Sequence, residues 1–509
     1  MSNQLFTKKP LHVLLEELHG ESRLRRILGP ITLTSLGVGA IIGTGIFVLT
    51  GVAAHDKAGP SLMLSFVVAG LACLFAALCY AEFASMVPVA GSAYTYAYAT
   101  LGELFAWIIG WDLILEYAVA SATVAHGWSS YFQDFISLFK LKIPEVIASA
   151  PFKTDELTGK TVFSGNVVDL PAIIIAAIIT VILVKGIRES ATFNATMVII
   201  KVVIVLFVIG VGAFYINVQN WKPFAPFGFT GVSFFGKTLF GQTVAGAPVG
   251  MLAGAAISFF AYIGFDSVST HAEEAKNPRR DVPIAIITSL VVCTILYILV
   301  AAVLTGMVPY NQIDINAPVS VAFKQVGLNW AQYIISLGAL AGITSVLLVM
   351  MLSQPRIFLA MARDGLLPPG VFGDVHPKYK TPWKSTILTG FFVATMAALL
   401  PLRILAELVN IGTLLAFVIV CAAVLIMRKT HPDAERPFKT PLYPFVPIMG
   451  ILLCLLLMFS LPPANWLRLF GWLAIGMLIY FFYSRKHSHI RTEVKENKMV
   501  NDDALMPKN

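Results

Sequence analysis

The stretch GVGAIIGTGIF, residues 37–47, decides the architecture. It sets glycines at 37, 39, 43 and 45 in the middle of an apolar run from Ile31 to Ala53, where a membrane helix is expected. Each glycine costs a helix about 1 kcal/mol relative to alanine. Gly39 and Gly43 form a GxxxG, which in an apolar helix lets two helices pack closely. That reading leaves Gly37, Gly43 and Gly45, clustered around Thr44, unexplained. A helix that unwinds there exposes amide donors and carbonyl acceptors. A phosphate loop is the other glycine-rich candidate, but no GxGxxG is present, no strand precedes and no GK[ST] follows. Freed amides at a half-helix N-terminus carry partial positive charge and can receive a carboxylate, while unwound carbonyls can receive an ammonium. A zwitterion suits both.

The rest of the chain sets this segment in a bilayer. Of 509 residues, 57% are hydrophobic and only 13% charged, against roughly 25% charged in soluble domains. Runs long enough to cross about 30 Å of hydrocarbon recur throughout. Twelve are expected, in Ile31 to Ala53, Leu62 to Met86, Tyr94 to Phe132, Leu170 to Val184, Ala195 to Tyr215, Val249 to Thr270, Ile284 to Met307, Trp330 to Leu352, Ile387 to Leu400, Leu408 to Met427, Phe445 to Leu461 and Trp466 to Phe482. Alternating ten-residue strands are missing, so the expectation is an all-α integral membrane protein and not a barrel. With a cytoplasmic N-terminus, the even-numbered loops and both tails hold most of the 36 Lys and Arg, which puts both termini in the cytoplasm.

The leader MSNQLFTKKPLHVLLEELHGESRLRR lacks a continuous apolar core and a small-residue cleavage site, so it does not read as a signal peptide. The net charge of +8 comes from short juxtamembrane loops and a mixed-charge tail, which favours anionic lipid over nucleic acid as the partner. Cys73, Cys79, Cys293, Cys421 and Cys454 all fall in expected spans without metal-like or redox spacing and read as packing residues. The long loops Phe132 to Asp169 and Asn217 to Ala247 are expected to carry short lid-like helices.

A second interrupted run lies five spans after the first. It reads AISFFAYIGFDSVSTHAEE, with Gly264 and Asp266 in mid-run. Broken helices in corresponding positions of two halves are the mark of an inverted repeat. The expected organisation is a cytoplasmic segment 1–30, a first five-span repeat 31–217, an outer loop and second repeat 218–428, two extra spans in 429–484, and a cytoplasmic tail 485–509.

Ionisable groups inside spans are functional candidates, because burying a charge in lipid costs several kcal/mol. Glu116 follows Asp112 by one helical turn on the third span, Asp266 follows the break in the sixth, and Lys201 is the basic residue inside the fifth. Lys201 could snorkel to the headgroups. A helix starting near Ser190 instead puts it about 16 Å in at 1.5 Å per residue, close to midplane. A buried amine there can exchange a proton, which a permanently charged guanidinium could not. Glu116 and Asp266 are open between proton coupling and structural hydrogen bonding, whereas Glu82, Asp112 and His126 read as structural or interfacial. His271, Glu273 and Glu274 are expected at the cytoplasmic end of the sixth span. On the eighth, Gly338, Ala341, Gly342 and Thr344 suggest close helix contact, while Met350 and Met351 offer a flexible apolar surface for packing or for a side-chain pocket.

The motifs GAIIGTGIF, CYAEFASMVPVAGSAYTYAYATLGE, GWDLILEY, FFAYIGFDSVSTHAEEAKNPRRDVP and LLVMMLSQPRIFLAMARDGLLP extend from the first span through the eighth. Together they resemble the amino acid–polyamine–organocation transporters, and within them the bacterial relatives of animal cationic amino acid transporters. The resemblance implies a leucine-transporter-like fold of two inverted five-helix repeats working by alternating access. It implies that a substrate carboxylate meets the backbone of Gly43, Thr44 and Gly45, and that the amino group meets carbonyls near Ile41 and on Phe260, Ala261 and Ile263. Lys201 matches the family's proton-linked lysine, and Glu116 and Asp266 match acidic positions of the coupling network. Animal members carry a small polar residue where this chain has Met350, whose apolar bulk argues against arginine and lysine.

The resulting expectation is proton-coupled uptake of a small or medium neutral L-amino acid such as alanine across the plasma membrane. The partners are then the amino acid, a proton and the bilayer, without nucleic acid, metal or cofactor; a small membrane-protein partner is left open. The alternatives are a cationic amino acid transporter or exchanger and, of a different class, a membrane amino-acid sensor. A channel is a weaker rival, because a single site between two half-helix pairs favours alternating access. No nucleotide motif or nucleophile-with-base constellation supports a pump or an enzyme.

Overall fold

The computed structural model describes residues 6–9, 28–86, 92–154, 161–185, 191–234, 237–244, 246–270, 272, 275–379 and 381–490. His271, Glu273, Glu274 and most of both terminal segments lie outside this set.

The first apolar run is two helical pieces. Helix α1, Pro30–Ile41, opens on a proline and stops where Ile42 turns extended, with φ −73° and ψ 105°. The chain re-coils as a π-helical turn, Gly45–Leu49, and runs outward through Thr50–Ala53 to Ala54–Ala58. The main helices that follow are α2 (Leu62–Met86), α3 (Ser92–Thr100), α4 (Glu103–Ser137), α5 (Leu170–Lys185), α6 (Ala191–Gly212), α7 (Met251–Ser258), α8 (Pro278–Met307), α9 (Pro318–Gln325), α10 (Asn329–Arg363), α11 (Trp383–Leu399), α12 (Leu402–Thr430), α13 (Phe445–Phe459) and α14 (Pro463–Ile479). Among the described residues eight helical segments are long and apolar enough to span a bilayer, and Pro30–Ile41, Leu170–Lys185, Trp383–Leu399 and Phe445–Phe459 are shorter apolar helices.

Two expectations need correction. The run Tyr94 to Phe132 is not one helix: it divides at Gly102, whose φ of +102° is open to glycine at little cost, into α3 and α4. The long loops carry hairpins where lid helices were expected. Strand β1 (Phe152–Thr154) pairs with β2 (Thr161–Phe163), β3 (Val232–Phe234) with β4 (Lys237–Phe240), and β5 (Gln242–Val244) with β6 (Ala247–Val249), all antiparallel. Their Thr, Val and Phe content suits a pleated surface, and among the described residues the helical turns between the flanking helices of these loops are Glu145–Ile147 and Val218–Trp221.

Helix α4 runs through the middle of the bundle, packed against α10 and α12, while α8 packs against α1 and α2. The outer helices turn Ile174, Ile178, Val203, Leu206, Phe391 and Leu478 away from the core, an apolar perimeter suited to lipid. One end of the bundle gathers the described terminal residues: Lys9 pairs with Asp364 at 3.0 Å, and the His489 amide donates to the Asp364 carbonyl. The opposite end carries the hairpins, where the Gly250 amide donates to the Lys57 carbonyl at 2.8 Å.

Candidate functional site

The sixth apolar run breaks as the first does. Helix α7 tightens into a 3-10 turn, Phe259–Tyr262, Ile263 turns extended, and Gly264 takes a φ of +116° before helix resumes at Ser267. A side chain at Gly264 would be strained, and its Cβ would stand 2.9 Å from the Ala40 carbonyl oxygen. The two breaks touch: a Cβ on Gly45 would lie 2.3 Å from the Cα of Ala261, and one on Gly43 would lie 2.7 Å from Val346 Cγ2. The glycines therefore serve close packing as well as unwinding, and the two readings of the opening stretch hold together.

Between the breaks is a small cavity of about 10 Å³, lined by Ala40, Ile41, Gly43, Thr44, Gly45, Val124, Phe260, Ile263, Val346 and Met350. The wall contains no ionisable side chain. Seven of the eight positions expected to meet substrate line it, namely Ile41, Gly43, Thr44, Gly45, Phe260, Ile263 and Met350. Ala261 lies behind the wall, against Gly45. Among the described residues the buried Thr44 hydroxyl has no hydrogen-bond partner, and the amides of residues 43–45 head the second helical piece of the first run, where the first N–H groups have no partner within the helix. Polar valence is thus held open in an otherwise apolar chamber.

Lys201, fully buried on α6, reaches the last turn of α1 and donates from Nζ to the Gly39 carbonyl at 2.5 Å, its stem lying against Gly342. It does not snorkel. Glu116 and Asp266 are outside the cavity wall, within electrostatic reach of each other. Tyr117 donates to Asp266 Oδ2 at 2.8 Å, while among the described residues Asp266 Oδ1 and Glu116 Oε1 have no hydrogen-bond partner. Asp112, expected to be structural or interfacial, is 1% exposed inside α4 with both carboxylate oxygens unpartnered. Glu82 takes two hydrogen bonds from Arg428, and His126 Nδ1 lies 3.2 Å from Asp169.

Several site residues escape sequence reasoning. Tyr297 on α8 sends one hydroxyl to both unwound carbonyls, Ile41 and Ala261, each at 2.9 Å. Gly127 on α4 admits the Thr44 methyl, which would lie 2.5 Å from a Cβ there. Val124 and Val346, together with Ala40 of the opening stretch, complete the wall. A buried tyrosine was the available signal for the first; the others look like ordinary residues of apolar helices.

Residues 28–482 match the family model described as amino acid permease. The chain belongs to this family of amino acid permeases. It is 49% identical over 491 residues to the branched-chain amino acid permease BcaP of Bacillus subtilis, covering 96% of this chain and 100% of that one. It is 47% identical over 486 residues to the methylthioribose transporter of the same organism, covering 96% and 99%. A vacuolar cationic amino acid transporter 4 of Arabidopsis thaliana is 38% identical over 438 residues, 85% of this chain and 68% of that one. The permease is thus a multi-pass membrane transporter of the amino acid–polyamine–organocation superfamily, related to the cationic amino acid transporters, and not an enzyme.

Proposed function

We propose that this permease carries a small or medium neutral L-amino acid inward across the plasma membrane together with a proton. The observation that carries the reading is the make-up of the wall between the two breaks, which combines the open Thr44 hydroxyl and half-helix amides with apolar side chains ending in Met350; the cavity itself, about 10 Å³, has room for about one water, so the wall must part to admit a solute. Backbone and hydroxyl would take the carboxylate, the carbonyls of Ile41, Phe260, Ala261 and Ile263 the ammonium, and Val124, Val346 and Met350 the side chain. A long cationic side chain would meet Met350 with no acidic partner in the wall. Lys201 is the proton-linked amine, and Glu116 and Asp266 extend the coupling network. The proposed architecture is twelve spans, with repeats in 31–217 and 218–428 and two added helices in 429–484. Both termini face the cytoplasm, so the hairpin end faces outward.

The test is uptake into proteoliposomes under an inward proton gradient, with competition by the twenty amino acids and by methylthioribose. Concentrative uptake of a neutral amino acid, abolished by a protonophore, is the expected result. Best competition by arginine or lysine would overturn the neutral reading. Binding without uptake would make the protein a sensor, and uptake that stops at equilibration a uniporter or channel.

A further inference from the structure

At the hairpin end, away from the central site, is a much larger cavity of about 440 Å³ with a strongly charged lining. Lys57 and Asp56 enter it from the end of the outer half-helix, Arg403 and Glu407 from the first turns of α12, and Arg468 from α14. The hairpin β5–β6 closes one side with Ala247 and Val249.

The donors in this chamber outnumber its acceptors. Lys57 is 2% exposed, yet among the described residues its ammonium, with three N–H groups, makes a single hydrogen bond, to the Pro248 carbonyl at 2.9 Å. Arg403 donates from Nε to Glu407 at 3.2 Å and lies 3.6 Å from Asp56. Arg468 donates to the Asn465 side-chain oxygen at 2.7 Å. Glu407 is already engaged by Arg403 and, at 3.4 Å, by Asn465. Among the described residues, Lys57, Arg403 and Arg468, with the His55 imidazole 2.7 Å from Asp56, therefore face two carboxylates that are both shared, leaving room and charge for one more anionic group. A buried cation such as Lys57 is favourable only when paired, whereas Arg403 and Arg468 are half-buried and can reach toward a solute in the cavity. The surplus positive charge disfavours a metal ion.

From these observations we infer that the cavity is an outer docking site for a small carboxylate-bearing solute, the amino acid itself being the solute the permease would meet there. The carboxylate lies against Lys57, Arg403 and Arg468, and the ammonium of an amino acid against Asp56. The site concentrates solute beside the outer half of the first span, whose end is bonded to the start of α7 through the Gly250 amide and the Lys57 carbonyl. Lys57 stands twelve positions after Gly45, about 18 Å away at 1.5 Å per residue, so the two sites are separate. The identity of the solute rests on the transport reading above; the carboxylate chemistry does not.

The test uses the full chain in nanodiscs and two probes of matched size: L-alanine, with carboxylate and ammonium, and propionate, with the carboxylate alone. Ligand-observed saturation-transfer NMR should detect both on the wild type. In Arg468→Gln, affinity for propionate should fall roughly tenfold, the loss expected for one charge-assisted hydrogen bond, and Arg468→Lys should restore part of it. In proteoliposomes Arg468→Gln should raise the half-saturating substrate concentration and leave the maximal rate unchanged. An unchanged melting temperature shows that the variant is folded; if it is not, Arg403→Gln replaces it. Propionate binding that is absent, or equal in wild type and variant, overturns the docking site. Propionate binding lost in Arg468→Gln while L-alanine is neither bound nor transported keeps the docking site and refutes the choice of alanine-like substrate.

Discussion

Replacing Lys201 by methionine separates the proton role proposed for it from its packing role. The ammonium donates to the Gly39 carbonyl at 2.5 Å, and the stem fills the space beside Gly342. Methionine keeps most of that volume, so the stability cost is the lost hydrogen bond, about 1.5–3 kcal/mol for a charged donor. Alanine would add a cavity term, raising the cost to about 2–5 kcal/mol, and would confuse misfolding with uncoupling. With one proton moved per neutral substrate, a gradient of one pH unit supplies about 1.4 kcal/mol and supports roughly tenfold accumulation. Proteoliposomes acidified outside by one unit, with the membrane potential clamped at zero, should therefore concentrate substrate about tenfold with the wild type. The Lys201→Met variant should bring inside and outside concentrations to a ratio of about one, while still binding substrate. Tenfold accumulation by Lys201→Met would refute the assignment of the coupled proton to this amine.

Other substitutions address other parts of the site. Met350→Ser removes apolar bulk from the cavity wall and should lower the inhibition constants of lysine and arginine by roughly tenfold in a competition assay, about 1.4 kcal/mol; unchanged constants would place selectivity elsewhere. Gly45→Ala drives a methyl to 2.3 Å from the Ala261 Cα, where backbone must yield; it should abolish uptake and cost about 1–3 kcal/mol, read as a lower melting temperature. Tyr297→Phe strips the hydroxyl shared by Ile41 and Ala261 and should destabilise the detergent-solubilised protein by about 1–3 kcal/mol by denaturant titration, a measurement that a merely peripheral tyrosine would not move.

Local signals in the sequence located both breaks, because a glycine cluster in an apolar run is costly enough to need a reason. They also brought out Lys201, since an amine in such a run is costly too. What the sequence could not convey depends on which helix faces which. The Tyr297 hydroxyl reaches two carbonyls that are distant from it in the chain, and Gly127 matters only because Thr44 lies opposite. The burial of Asp112 was out of reach for the same reason: that it is enclosed with no hydrogen-bond partner among the described residues is a property of the packed bundle, not of its place in GWDLILEY. The division at Gly102 was missed because tyrosine and alanine carry the apolar pattern smoothly up to it.

The tight fit of the two breaks also limits how this scaffold can change its cargo. A Cβ at Gly43, Gly45 or Gly264 would stand within 3 Å of another atom, so a side chain at any of these positions would force its neighbours to move, and the backbone of the proposed site has little room to change. Freedom remains in the wall side chains carried by continuous helices, Val124 on one and Val346 and Met350 on another. A lineage can exchange one solute for another through very few such positions while the rest of the chain drifts independently. On the proposed site, these few wall positions are where a change of cargo would be made, and the two relatives at 49% and 47% identity to this chain are named for a branched-chain amino acid and for methylthioribose.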